Sequence, residues 1–201
     1  VLALDGCSGD VARRFKATRE VFPNKSFRYV LASHLHIDHL HGLDDFARAG
    51  ARIIVSPAHE DSIVDYVKAN APEVTPQLFF VDDRIEISSG NRNLQIIDIG
   101  PVPHSNNILV AYLPTERILF VADLFVLGGS REPVKPASQN GIALLQAIDN
   151  LGLDVGRIVD PHSPVIATID DLRNAVALHE TGDGIFERAR NHLDVWRSTG
   201  Q

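Results

Sequence analysis

Apolar runs of strand length alternate with stretches of helical period along most of the chain, a pattern that predicts α/β layering. Val1–Leu4 is a short apolar run closing at Asp5-Gly6, and Val11–Phe22 follows with helical spacing. Phe27–Ser33 reads as a strand that runs straight into His34; Leu43–Ala49 is a short helix stopped by Gly50, and Arg52–Val55 is another strand. Ser56-Pro57 predicts a helix start, with a serine N-cap and a proline where the missing N–H costs nothing. That helix should reach about Ala69, with Ile63, Val64 and Val67 inward. The middle is strand-rich: Gln77–Val81, Arg84–Ile87, Leu94–Ile99, Ile108–Leu113 and Ile118–Ala122. Asn140–Leu151 is an amphipathic helix ended by Gly152, and Arg157–Asp160 is one more strand. Thr168 with Asp171 resembles a capping box that opens a helix to about His179. Gly182 and Gly184 break it, and a last helix puts Phe186, Ala189, Leu193 and Trp196 on one face. Leu127–Ser138, interrupted by Gly128, Gly129, Pro133 and Pro136, reads as a surface loop or lid.

Composition narrows the class. With 201 residues, 44% apolar and 22% charged, residues 1–201 are expected to form a single domain with a real core. No apolar run approaches the roughly 20 residues of a membrane span. No basic segment precedes an apolar one, so no signal peptide is expected in the chain as given, and a cytoplasmic location is favoured. Nineteen basic against 26 acidic side chains leave a net charge of -7, which argues against nucleic acid as a partner. One cysteine, Cys7, forms no internal disulfide. The chain opens with Val1 and has no methionine, so it reads as less than a complete translation product.

The chemistry lies in the histidines, of which there are nine. The stretch His34-Leu35-His36-Ile37-Asp38-His39 directly follows a strand. If it stays extended, His34, His36 and Asp38 share one side, and His39 joins them only where the chain curls. Buried imidazoles need partners for both ring nitrogens, and a buried carboxylate needs a counter-charge. A divalent cation answers both demands. His104, Asp123 and His162 each lie just past the carboxyl end of a strand, where open α/β sheets gather their sites. Five histidines and two aspartates suit two metal ions with water positions left open.

In these residues the chain resembles the metallo-β-lactamase superfamily. His34, His36, Asp38 and His39 match its HxHxDH motif, and His104, Asp123 and His162 follow in the family's order. The turn at Asp5-Gly6 matches the family's early strand ending. The resemblance implies an αββα sandwich in which His34, His36 and His104 hold one metal. Asp38, His39 and His162 hold the other, and Asp123 bridges. The family's first half ordinarily begins with one or two strands ahead of Val1–Leu4. Their absence implies a fragment, or a strand edge covered by a partner or by a second copy in a homo-oligomer.

The implied activity is hydrolysis of a small ester, thioester, lactone or amide by metal-bound hydroxide, with Asp38 as the catalytic carboxylate orienting it. Zinc is the first expectation for both ions, and the same donors accept iron or manganese. Two divalent ions opposed by Asp38, Asp123 and a hydroxide leave about +1, which favours an anionic or strongly dipolar small molecule. Lactonases of the family often carry tyrosine three residues after the bridging Asp; Val126 stands there, which lowers that option. The alternatives are a mononuclear iron oxygenase of the persulfide dioxygenase type, or a truncated chain that binds metal without catalysis. His41 reads as a residue behind the ligands or on the surface rather than a ligand, and His59, His179 and His192 as exposed or packing residues on helices. Ser105, Asn106 and Ser163 are outer-shell candidates, and Asp44 and Asp45 are carboxylates complementing a helix dipole.

Overall fold

A computed structural model describes residues 1–6, 11–128 and 135–182. Four strands, β1 (Leu2–Leu4), β2 (Tyr29–Leu31), β3 (Arg52–Val55) and β4 (Leu78–Phe80), form a parallel sheet in the order β1-β2-β3-β4. Helix α1 (Val11–Val21) connects the first two strands. The short helices α2 (Ile37–Leu40) and α3 (Leu43–Arg48) lie between β2 and β3, and α4 (Glu60–Asn70) precedes β4. The second sheet has six strands: β5 (Arg84–Ser89), β6 (Arg92–Asp98), β7 (Leu109–Leu113), β8 (Ile118–Phe120), β9 (Arg157–Val159) and β10 (Ala167–Thr168). Helix α5 (Gln139–Asn150) joins β8 to β9, and helix α6 covers residues 169–182.

Side-chain alternation shows how the layers stack. In β3, Ile53 and Val55 pack with Leu43, Phe46, Ile63 and Val67 beneath the helices of the first half. Ile54, pointing to the other face, packs with Ile96, Ile97 and Leu109 of the second sheet. Leu144 and Ile148 of α5, with Leu172 and Ala175 of α6, close the far side of the same cluster. The result is an αββα sandwich, as the alternation of the sequence predicts. Truncating a fully buried residue such as Ile54 to alanine should cost about 2–5 kcal/mol.

Two features of the topology bring the chain's polar turns to one edge. All strands of the first sheet run parallel, so Asp5 after β1 and His34 after β2 emerge together. In the second sheet β6 and β8 are both antiparallel to β7, and β8 is parallel to β9. Strands β6, β8 and β9 therefore end on one side.

Most element expectations hold within a residue or two, but several details differ. Ser56 makes no helix-capping bond, and a short 3₁₀ turn, Pro57–His59, precedes α4. The Thr168–Asp171 capping box is present: Asp171 N donates to Thr168 Oγ1 (3.2 Å) and Thr168 N to Asp171 Oδ2 (2.8 Å). Residue Gly182, expected to break α6, is still helical. The last expected helix, Cys7 and residues 129–134 of the Leu127–Ser138 loop lie outside the described residues. No helix among the described residues is long and apolar enough to cross a membrane.

Candidate metal centre

The HxHxDH stretch does not stay extended to Asp38. After His36, whose backbone is still extended, the chain turns into helix α2, with His39 N and Leu40 N both bonded to His36 O. This curl corrects the expectation of one-sided alternation and brings His39 to the same centre as His34.

The Asp5-Gly6 turn supports it from below. Gly6 N donates to His39 O (2.9 Å), and a Cβ on Gly6 would lie 2.2 Å from His41 O and 2.7 Å from His39 O. Only glycine permits that approach. Asp5 is fully buried: Oδ1 accepts from Ser33 N (2.8 Å) and Oδ2 from His39 Nδ1 (2.9 Å). Its backbone is left-handed (φ 59°), a conformation aspartate tolerates better than most residues. Arg14 of α1 braces this turn by donating to the carbonyls of Leu4, Asp5 and Gly6.

The second sheet delivers its three side chains singly. Asp123 follows β8 in a left-handed conformation (φ 66°), a local strain of about 1–3 kcal/mol that sites of function commonly store. His162 N donates to Oδ1 of buried Asp160 (2.9 Å), which holds the turn that carries His162. Burial pushes the Asp160 carboxyl up from its ordinary range, and its Oδ2 has no hydrogen-bond partner among the described residues.

All seven expected residues converge. His34, His36, His104 and Asp123 form one group of four donors, and Asp38, His39, Asp123 and His162 form another. The donor atoms in each lie within 4.8 Å of one another. Asp123 belongs to both. Its Oδ2 lies 3.0 Å from His104 Nε2 and 3.1 Å from His39 Nε2, and its Oδ1 lies 3.0 Å from His162 Nε2. Facing nitrogens are close too: His34 Nε2 to His104 Nε2 is 3.1 Å, and His39 Nε2 to His162 Nε2 is 3.2 Å. Asp38 Oδ2 is 3.1 Å from His162 Nε2.

The electrostatics divide the site. Burial lowers the His34 pKa to about 3, helped by the neighbouring His39, so its 3.6 Å approach to Asp123 is not an ion pair. Burial opposes charge on His39 as well, but hydrogen bonds to Asp123 and Asp5 outweigh it and raise the pKa to about 10. Asp123, despite burial, is held down at about 2, chiefly by His39.

The donor set fits metal ions on structural grounds. His39 Nδ1–H is directed at Asp5 and His34 Nδ1 at the Ser33 hydroxyl (3.0 Å), which fixes both rings and leaves Nε2 facing inward, the usual support for a ligating histidine. Asp123 Oδ1 is buried and makes no hydrogen bond among the described residues, although His162 Nε2 stands 3.0 Å away. A cation would compensate that buried charge.

Several supporting residues differ from expectation. Ser105 Oγ donates to Asn107 O, and Ser163 Oγ to the carbonyls of Leu127 and Val165. Both therefore brace loop backbone rather than ligand side chains. His59 is buried, the packing alternative of its expectation. His41 is exposed, and Asp44 and Asp45 stand in the first turn of α3. His192 lies outside the described residues. Asp160 and Arg14 were not legible as site residues, because nothing in their local sequence distinguishes them from ordinary surface charges.

Residues 6–176 match the metallo-beta-lactamase superfamily, and the chain belongs to that superfamily. It is 27% identical over 139 residues to 2,4-dinitroanisole O-demethylase subunit alpha from Nocardioides sp. (strain JS1661), a match covering 63% of this chain. The match spans only 41% of that relative's length. Among solved structures, a metallo-beta-lactamase from Pontibacter korlensis superposes with TM-score 0.65 at 17% identity, covering 89% of this chain and 81% of its own. The Flv1 flavodiiron core from Synechocystis sp. PCC6803 gives 0.66 at 18%, covering 89% and 50%. Both show the shared fold.

Proposed function

We propose that this protein is a metal-dependent hydrolase with a dinuclear centre, acting on a small ester, thioester, lactone or amide. The observation that carries the proposal is Asp123 shared between two four-donor groups. Two divalent cations, zinc first among those these donors accept, would polarise a substrate oxygen and lower the pKa of bound water toward about 7.

The chain's own residues do the rest. Ser33 and Asp5 hold His34 and His39 with their Nε2 lone pairs inward. Asp38 accepts the proton of the attacking water and returns it to the leaving group. In support, its side chain is 36% exposed against 13% for Asp123, so it alone of the two carboxylates can meet substrate. Exposed His36 and His162 mark the side from which substrate enters, and the net positive centre favours an anionic or strongly dipolar molecule. The demethylase relative's name adds a second substrate class, a methyl ether on an electron-poor aromatic ring; the same attack by activated water serves it.

Elemental analysis of reconstituted protein should approach two ions per chain. Asp38→Asn should then lower turnover on a responsive ester, thioester or aryl ether by about 10²–10⁴-fold, measured with metal in excess because Asp38 is also a donor of the second group. Undiminished turnover in that variant would remove the mechanism. One equivalent of iron with visible absorbance would replace it with an iron oxygenase. Full metal content with no turnover across the panel would favour a non-catalytic metal-binding chain.

A further inference from the structure

Each donor group takes residues from both sheets. His34, His36, Asp38 and His39 follow β2, whereas His104, Asp123 and His162 follow β6, β8 and β9. Donor spacing within a group therefore depends on how the two sheets are registered, and one polar side chain outside the centre spans them beside it.

Asp98 is the last residue of β6. Its Oδ1 accepts from Gly100 N (2.8 Å), and its Oδ2 accepts from Asn107 Nδ2 (3.2 Å) and from Ser56 Oγ (3.1 Å). Gly100 and Asn107 flank the loop that carries His104. Ile99 N also bonds Ile108 O, and Val102 pairs with Ser105 within it. Ser56 directly follows β3 of the other sheet. It stands at a helix N-cap position, yet its hydroxyl makes no cap bond and reaches Asp98 instead. The titratable group facing this cluster is His59, buried beside it, whose pKa burial lowers against the pull of Asp98. A neutral His59 leaves the carboxylate to its three hydrogen-bond donors.

We propose that Asp98 is a positioning residue that closes the His104 loop and pins it to the first sheet, so that it sets metal affinity at the His34–His36–His104–Asp123 group selectively. The proposal rests on the dinuclear reading above. The other group draws on His162, whose loop is held by Asp160 instead, and needs no register from Asp98.

The test is cobalt(II) titration of metal-free full-length protein against a competing chelator, followed by visible absorbance. Wild type should take two equivalents. Asp98→Ala should keep one near wild-type affinity and weaken the other at least about tenfold, the scale for losing a group that orients a ligand. Asp98→Asn retains one acceptor oxygen and should recover part of the loss. Should Asp98→Ala not fold, Ser56→Ala and Asn107→Ala each remove one tie and should show a smaller version of the same one-sided loss. A merely structural role would lower the melting temperature and leave the two affinities in their wild-type ratio. Unchanged affinities, or equal loss at both positions, would overturn the assignment while leaving the dinuclear centre intact. A wild-type chain that takes up no metal would overturn both.

Discussion

Four of the seven candidate ligands come from one six-residue stretch after the parallel sheet, and three come from single positions spread across the mixed sheet. The first set is packed by local geometry: one strand end, one helical turn, and a glycine that lets the Asp5 turn approach. The second is assembled by carboxylates that hold loops, Asp98 around His104 and Asp160 beside His162. A contiguous cluster carries its own register, while scattered ligands borrow theirs from hydrogen bonds at a distance. The two halves should therefore fail differently when perturbed.

The largest effect should come from Asp123→Asn, because this residue serves both groups. Asparagine matches the shape and tolerates the left-handed backbone, so the fold should persist. The charge that balances two cations is gone, however, and neither equivalent of metal should survive gel filtration. Protein that retains two ions by elemental analysis would show that the halves do not meet at Asp123.

Asp5→Asn should act on one group only. The carboxylate accepts two hydrogen bonds, from Ser33 N and from His39 Nδ1. An asparagine can present its oxygen to one of them, and its amide then faces the other donor. Facing His39, that amide favours the tautomer with the proton on Nε2, the nitrogen needed for metal. Affinity at the Asp38–His39–Asp123–His162 group should fall about 10–100-fold, with the His34 group unaffected because Ser33 orients that ring. Equal weakening of both, in the same cobalt titration, would make the first half a single unit rather than two separately supported ligand pairs.

This asymmetry also explains what could be read from the residue string. The HxHxDH cluster and the strand ends that carry His104, Asp123 and His162 were legible, because ligand chemistry and strand periodicity are both local. The sandwich followed from alternation such as Ile53, Ile54 and Val55 facing two different clusters. A curl was expected wherever His39 joins the set, but its start at Ile37 was not legible: no glycine, proline or cap stands there, and the turn is held by Gly6 from the end of β1. Ser56 carried a strong local signal for a helix cap, which a long-range acceptor, Asp98, overrode. Asp98 acts in part through Ser56, 42 residues away, while Arg14 and Asp160 hold backbone groups of nearby turns, and no period or motif announces such pairs.

The smallest expected effect separates specific ties from general stability in the second half. Thr168 and Asp171 form a capping box whose three hydrogen bonds start α6, far in sequence from every candidate ligand except His162. Thr168→Ala removes a cap worth about 1 kcal/mol, which in a domain of this size lowers the melting temperature by roughly 2–4 °C. If the scattered ligands owe their positions to Asp98 and Asp160, that loss should leave both cobalt affinities within about twofold, well under the 10–100-fold scale of a lost orienting group. If metal binding in the mixed sheet merely tracks how stable the sheet is, the same variant should weaken it in proportion to the melting shift. Thermal unfolding of the metal-free protein, paired with cobalt titration of the same sample, distinguishes the two.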